Sequence, residues 1–170
     1  MSDLQGKILK ILQNGGFHSG ESLGRQLNVS RTAIWKQLRA LEALGLEIES
    51  VKGVGYRPPD SFELLSKATI LNHIAESHGD LPCELEIFQS IDSTNRYARE
   101  RAEAEAISGT VVLAENQTAG RGRLGKTWVS PFAANLYMSI VWNFDQGAES
   151  LQGLSLAVGV GVRRTLVELG

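Results

Sequence analysis

A chain of 170 residues is long enough for one domain or two small ones, and its 42% hydrophobic and 21% charged residues are typical of globular proteins. No apolar run reaches the roughly 20 residues that span a bilayer, and the N-terminus lacks a secretion signal, which excludes membrane and exported classes. The single Cys83 excludes a disulfide framework and has no metal-ligand neighbours, so we expect a cytoplasmic protein without a metal site of its own.

The net charge of −2 is unevenly distributed along the chain. Residues 1–60 carry eight Lys/Arg and six Asp/Glu, whereas residues 61–170 carry nine and thirteen. Between Glu21 and Glu42 there are four basic side chains and no acidic one. A basic element on an otherwise acidic protein is suited to contact with the phosphates of a nucleic acid.

Three helices are expected in the first 45 residues. Apolar residues recur at helical spacing over 4–12, and Asn-Gly-Gly at 14–16 ends that helix. Ser19 can cap a short second helix, and Ser30 a third that runs to Gly45. The second and third helices, joined by a tight turn, form a helix-turn-helix pattern.

The third helix has one apolar face, with Ile34, Leu38 and Leu41, and one basic face. Residues 46–51 then alternate at period two, and a turn at 52–55 leads into a return strand, which predicts a wing. The alternative is a packing module whose charged face is only solvated. For the DNA-binding interpretation the contact residues are Ser30, Arg31, Thr32, Trp35, Lys36, Arg39 and Lys52.

Pro58-Pro59-Asp60 is a stiff link and divides the chain into domains 1–60 and 61–170. In the second domain we expect helices over 66–77, 92–106 and 154–169, and strands over 84–88, 111–114 and 136–142. The apolar face of the last helix is assigned to the core.

The run Asp92-Ser93-Thr94-Asn95 holds four capping-type residues, which is more than one helix start needs. The surplus hydroxyl and amide groups can face a ligand at the positive end of the helix. Redundant capping is the alternative, because these residue types cluster at helix starts for local reasons.

The run Gly-Arg-Gly-Arg-Leu-Gly-Lys-Thr at 120–127 combines glycines with cations, as in loops that hold an anion. It fits both the P-loop and the dinucleotide patterns, but no strand enters it directly and Pro131 prevents a helix from leaving it. A basic surface loop without function is a third alternative. We favour a loop between two strands that closes over a phosphate-bearing ligand.

Three ordered motifs carry a family resemblance: Ser-Ile-Asp-Ser-Thr-Asn at 90–95, Gln-Thr-Ala-Gly-Arg-Gly-Arg at 117–123, and Trp-Val-Ser-Pro-Phe-Ala-Ala-Asn-Leu-Tyr at 128–137. They closely resemble the biotin–protein ligases, and the N-terminal segment is similar to the ligase/repressor branch. The resemblance implies an α+β fold in which a winged helix-turn-helix precedes a truncated mixed α/β central domain of the class II synthetase-like type.

The resemblance also implies site residues. In the family, the positions matching Ser93, Thr94, Asn95 and Gln117 hold the biotin ring, and those matching Arg121-Gly122-Arg123 close over its carboxylate and the adenylate phosphate. The implied adenylate-binding residues are Gly120, Arg121, Arg123 and Trp128. Arg121 and Arg123 would act as catalytic electrophilic stabilisers and not as bases.

The implied reaction uses biotin, ATP and Mg²⁺. The biotin carboxylate attacks the α-phosphate to give biotinyl-5′-AMP, and a lysine of biotin carboxyl carrier protein then takes the biotinyl group. The implied partners also include operator DNA and a second copy of the chain, in a homodimer that forms when adenylate is bound; no membrane is implied.

The family continues with a Lys-Trp-Pro-Asn-Asp segment whose lysine contacts biotin and adenylate, and this chain stops at Gly170 before it. Ligase activity of the chain itself is therefore an open question. Two alternatives stand beside the ligase/repressor: a DNA-binding regulator that senses a small ligand without ligation, and an enzyme of the same fold acting on lipoate or another acid. The polar set with Gln117 argues against an acyl pocket that is wholly apolar.

Overall fold

The computed structural model describes residues 2–59, 62–78, 84–104, 107–122, 124, 126–145, 147 and 151–170. This part of the chain contains six α-helices and five strands. In chain order they are α1 (Asp3–Leu12), α2 (Gly20–Leu27), α3 (Arg31–Ala43), β1 (Glu49–Val51), β2 (Gly55–Arg57), α4 (Lys67–His78), β3 (Leu85–Phe88), α5 (Thr94–Glu103), β4 (Thr110–Ala114), β5 (Tyr137–Val141) and α6 (Leu154–Glu168).

The second and third helices begin where the sequence placed their caps. The Ser19 hydroxyl accepts the N–H of Ser22 at 3.0 Å, and the Ser30 hydroxyl accepts that of Ala33 at 3.1 Å. At the turn between α2 and α3, Asn28 adopts a left-handed conformation with φ 53°. An asparagine tolerates this conformation, so α2 ends there and α3 can start in a new direction.

The three helices enclose a core that the helical periodicity predicted. Ile8, Leu12, Leu23, Ile34 and Leu38 are each at most 2% exposed. Burying an aliphatic side chain of this size stabilises a fold by about 1.5–3 kcal/mol. The helix-turn-helix therefore has its own continuous apolar core.

A two-stranded hairpin follows, as expected, but its strands are only three residues long. β1 and β2 are antiparallel, with Ser50 opposite Tyr56. The Tyr56 N–H and C=O each bond to His18 at 2.9 Å, which fastens the hairpin to the segment before α2. The wing is thus attached to the helical part of the chain through the antiparallel bridge between Tyr56 and His18.

The second part of the chain contains a sheet of order β3-β4-β5. β3 and β4 are parallel, so the chain crosses between them through α5, and β4 and β5 are antiparallel. α5 packs on the sheet through Ala98 against Val112 and Val141. This arrangement brings the ends of β3 and β4 to the same edge, beside the start of α5.

A second apolar cluster joins the helical part of the chain to the segment before β5. Phe132 is 1% exposed and packs with Leu9, Leu41 and Leu46. Its N–H donates to the Leu44 carbonyl at 2.9 Å. The two parts are therefore in direct contact, although residues 60–61, where the sequence placed the domain boundary, lie outside the described residues.

The assignment of α6 to the core was wrong for the described structure. None of its residues is buried; Val158 and Leu166 are 57% and 62% exposed. The apolar spacing identified the helix correctly, but in the described residues no other element covers the face that was assigned to the core. No helix among the described residues is long and apolar enough to cross a membrane.

Candidate functional site

The candidate ligand site lies where the parallel strands β3 and β4 end. Three main-chain hydrogen bonds tie the segments that follow them: Ile91 N–H to Asn116 O at 3.1 Å, Thr118 N–H to Ile91 O at 2.8 Å, and Ala119 N–H to Asp92 O at 2.8 Å. The two segments thus run side by side up to the start of α5. In open α/β sheets this edge, beyond the carboxyl ends of the strands, is the usual place for a ligand.

One of the four capping-type residues caps α5, as predicted. Ser93 is the N-cap, and its hydroxyl accepts the Arg96 N–H at 3.4 Å. The Asp92 carboxylate accepts the Ser93 N–H at 2.6 Å and forms an ion pair with Arg96. Asp92 is therefore paired locally, and the residues at the start of α5 line the cavity described below.

Thr94, Gln117 and Ser139 form a chain of neutral polar side chains. The N–H and hydroxyl of Thr94 donate to Gln117 Oε1 at 2.9 and 3.2 Å, and the Ser139 hydroxyl donates to Thr94 Oγ1 at 3.0 Å. Thr94 is 3% exposed. These contacts hold the three groups in fixed relative positions, which suits recognition of a neutral ring with N–H and C=O groups.

The arginine loop, residues 120–127, folds back on itself. Arg121 pairs with Thr127 in an antiparallel bridge, and the Gly122 N–H donates to the Lys126 carbonyl at 3.2 Å. A Cβ at Gly120 would lie 2.4 Å from Trp128 Cδ1, and one at Gly122 would lie 2.5 Å from that carbonyl. Two of the glycines are therefore required by close approach, a reason that the sequence pattern alone did not supply.

One open cavity of about 780 Å³ connects the polar chain to the arginine loop. Six of the predicted ligand residues line it: Ser93, Thr94, Asn95, Gln117, Arg121 and Trp128. Its described wall does not include Gly120 or Gly122, which shape the loop behind it. Arg123, predicted to bind both biotin and adenylate, lies outside the described residues.

The contribution of β5 to the cavity was not predicted from the sequence. Leu136, Tyr137, Met138 and Ser139 line it, and Ser139 completes the polar chain. The available signal was a serine within an otherwise apolar strand. Its partner could not be inferred without the register, which sets Ser139 beside Val112 and opposite the start of α5.

The carboxyl group of Glu115, directly after β4, is buried. Glu115 is 3% exposed, and its Oε1 accepts the Leu65 N–H at 2.5 Å. Burial raises the pKa of the Glu115 carboxyl, and the hydrogen bond from Leu65 opposes that rise. Glu115 is thus a contact between the end of β4 and the segment before α4.

The predicted DNA-binding face is one side of α3. Arg31, Thr32, Trp35, Lys36 and Arg39 are exposed, whereas Ile34, Leu38 and Leu41 on the opposite side are buried. Trp35 is 48% exposed, with the Arg39 guanidinium 5.7 Å from its ring centroid. These groups form a basic surface with an aromatic side chain at its centre.

Three details bear on the predicted DNA contacts, and the first two modify them. The Ser30 hydroxyl is engaged as the cap of α3, which fixes the start of the helix. Arg39 forms an ion pair with Glu42 at 2.9 Å, so a phosphate would have to compete with that carboxylate. Lys52 is exposed in the turn between β1 and β2, at the tip of the wing.

Comparison with known proteins gives two family matches. Residues 5–57 match a helix-turn-helix domain, and residues 87–170 match the biotin/lipoate A/B protein ligase family. The fold and site thus define a protein in which a DNA-binding type of domain precedes a ligase-type domain.

The chain is homologous over nearly its whole length to the bifunctional ligase/repressor proteins. It is 41% identical over 164 residues to bifunctional ligase/repressor BirA of Escherichia coli (strain K12), covering 96% of this chain and 49% of that protein. It is 32% identical over 170 residues to the protein of the same name from Bacillus subtilis (strain 168), and this match covers 98% of this chain and 51% of that protein. The chain therefore spans about half the length of these relatives.

Among solved structures, the chain is similar to a biotin protein ligase from Aquifex aeolicus in complex with biotin and ATP, with 30% identity and a TM-score of 0.36. This match covers 48% of the present chain and 35% of the other.

Proposed function

We propose that this chain is the DNA-binding and partial ligand-binding portion of a bifunctional biotin–protein ligase and biotin-dependent transcriptional repressor. Residues 1–60 would bind operator DNA, and residues 61–170 would hold biotin and its adenylate. The homology to ligase/repressor proteins supports both halves of this proposal.

The proposal that residues 61–170 hold biotin and its adenylate rests on one observation: neutral polar groups and a positive charge line the same cavity. The Thr94–Gln117–Ser139 chain presents neutral polar groups, and Arg121 on the arginine loop supplies positive charge. The neutral ureido ring of biotin needs paired N–H and C=O groups once it is buried. The carboxylate of biotin and the phosphate of its adenylate need the cation.

The proposed reaction joins these two ends of the cavity. A biotin carboxylate oxygen attacks the α-phosphorus of ATP, pyrophosphate leaves, and a lysine of biotin carboxyl carrier protein then attacks the mixed anhydride and releases AMP. Arg121, together with Arg123, would neutralise charge on the phosphate in both steps, because such transfers depend mainly on positioning and electrostatics.

Mg²⁺ would enter with the triphosphate. The described residues contain no group of His, Cys, Asp or Glu side chains that could hold a metal ion. Mg²⁺ is usually bound through substrate phosphates rather than by an all-protein site.

Calorimetric titration tests the ligand half. We expect both biotin and a non-hydrolysable biotinyl-adenylate analogue to bind, with the analogue binding more tightly because it also engages Arg121. Thr94→Val should weaken both, and Ser155→Ala on the exposed helix α6 should weaken neither. Absence of binding heat for both ligands would contradict this half of the proposal.

For the DNA half, we propose that the adenylate-bound chain binds operator DNA as a homodimer. A single module with this small basic surface should bind weakly, and paired half-sites increase affinity. Sedimentation with and without the adenylate analogue should show a shift from monomer to dimer. A chain that stays monomeric in both cases and still binds a palindrome tightly would rule out the dimer.

A further inference from the structure

The side chain of Asn116 lies between the two ends of the segment that carries the arginine loop. It is 5% exposed, and its Nδ2 donates to the Ser130 carbonyl at 2.6 Å. Its Oδ1 accepts the Ser90 hydroxyl at 2.9 Å, and its own carbonyl accepts the Ile91 N–H at 3.1 Å. Asn116 thus connects the entry to the loop, the exit from the loop and the segment that leads into Ser93.

Only a side-chain amide satisfies this position. It must donate to a carbonyl on one side and accept a hydroxyl on the other, and a buried polar group left without either partner is costly. A carboxylate could still accept from Ser90, but it would face the Ser130 carbonyl oxygen with no proton to share.

The exit of the loop depends on this contact. The Ser130 hydroxyl is buried and has no hydrogen-bond partner among the described residues, so the Ser130 side chain does not secure the segment. The next fixed points are the Pro131 carbonyl, which accepts the Tyr137 hydroxyl at 2.9 Å, and the N–H groups of Phe132 and Ala133, which donate to the Leu44 and Glu115 carbonyls, both at 2.9 Å. Loss of the Asn116 contact should therefore release residues up to 130 without unfastening β5.

We propose that Asn116 is a positioning residue for the arginine loop. It clamps the loop exit at Ser130 to the ligand-site entry at Ser90, and so keeps Arg121 within reach of a phosphate that occupies the cavity. The part that concerns the phosphate rests on the proposed function; the clamp itself does not.

The test compares Asn116→Asp with a matched control at Thr110, the first residue of β4, the strand that precedes Asn116. Thr110 is fully buried, and its hydroxyl donates to the Ile107 carbonyl at 2.7 Å. Thr110→Val removes that bond with little change of shape. Both variants lose one buried side-chain donor to a main-chain carbonyl, but only Asn116→Asp touches the loop.

The first readout needs no ligand. Trypsin cleavage after Arg121 and Lys126, followed by mass spectrometry, reports how often the loop opens. We expect Asn116→Asp to accelerate this cleavage by about tenfold, the factor that one lost hydrogen bond gives. Thr110→Val should leave the loop cleavage rate unchanged even where its melting temperature falls. Asn116→Ala replaces Asn116→Asp if the charged variant does not fold.

The second readout is the ratio of two affinities. Calorimetry should show that Asn116→Asp weakens the biotinyl-adenylate analogue by about tenfold more than it weakens biotin, because the loop serves the phosphate. A merely structural change would lower both affinities alike.

Loop cleavage at the parent rate, or equal acceleration in the control, would overturn the proposal, as would an unchanged ratio of affinities in a variant that retains both ligands. If the parent chain binds neither ligand while loop cleavage changes as expected, the clamp is supported and the proposed function fails.

Discussion

The helical part of the chain, residues 2–59, and the sheet part, residues 62–170, present their functional groups in different ways. In the first, a closed core holds α3, and the candidate DNA contacts stand on its exposed side. In the second, the candidate ligand groups lie where three segments meet, and several large apolar side chains of β5 and α6 are exposed. A rigid helix face can be built from local contacts, whereas a ligand cavity needs contacts between distant parts of the chain.

The most direct way to break this comparison is to truncate one apolar side chain in each part. Leu38 is 2% exposed and Leu166 is 62% exposed. We expect Leu38→Ala to lower the free energy of unfolding by about 2–5 kcal/mol, because it leaves a cavity in the core. Leu166→Ala should change it by no more than about 0.5 kcal/mol.

Denaturant unfolding of both variants measures the difference. A large loss with Leu166→Ala would show that α6 is covered in solution, and the contrast between the two parts would disappear.

The arginine loop should separate ligand binding from stability. Arg121→Ala removes an exposed side chain, so the thermal midpoint should hardly change. The adenylate analogue should lose about 1.5–3 kcal/mol of binding free energy, roughly a ten- to hundredfold faster dissociation. Arg163→Ala, an exposed arginine on α6, is the control and should alter neither quantity.

Melting and dissociation must be measured on the same preparation. If Arg121→Ala melts several degrees lower than the parent but holds the analogue equally well, the arginine loop contributes to stability and not to ligand binding.

On the helical side, Lys36→Ala and Arg39→Ala should each reduce the slope of log affinity for duplex DNA against log salt concentration by about one. The loss of affinity should be smaller for Arg39, because its ion pair with Glu42 must be exchanged for a phosphate. Lys67→Ala, outside the helix-turn-helix, is the control. Binding curves over a salt series measure the slope, and unchanged slopes in both variants would remove α3 from the DNA interface.

Glu115 predicts the smallest effect, a pH dependence of stability. Because burial raises the pKa of its carboxyl in the folded state, its contribution to stability is complete at low pH and is lost as pH rises above the ordinary value of 4.5 and through the raised pKa. Glu115→Gln keeps an acceptor for Leu65 but does not titrate. As pH rises, the unfolding free energy of this variant should increase relative to that of the parent. If the plots of unfolding free energy against pH are parallel for the two proteins, the pKa of Glu115 is not raised in the folded state.

Much of the fold could be predicted because its signals are local. Ser19 and Ser30 begin helices through their own side chains, and the apolar spacing of α3 identifies Ile34 and Leu38 as core. The context of the arginine loop also argued against a P-loop, in agreement with the structure, where β5 and not a helix follows the loop. Each of these features depends on residues a few positions apart.

The rest depends on contacts between distant segments. Ser139 joins Thr94 across 45 positions, and Glu115 joins Leu65 across 50. Asn116 is buried and bonds to Ser90 and Ser130, 26 and 14 positions away. The periodicity of α6 gave its apolar face but carried no information on what covers that face. These contacts depend on strand register and on burial, and a short sequence pattern determines neither.

The choice between biotin and lipoate tests the central claim most directly. One titration series would compare non-hydrolysable biotinyl- and lipoyl-adenylate analogues on the same chain. We expect the biotinyl analogue to bind at least about tenfold more tightly, because the lipoyl group leaves the Thr94–Gln117–Ser139 chain without a polar partner. Equal affinities, or a preference for the lipoyl analogue, would contradict the assignment of this cavity to biotin.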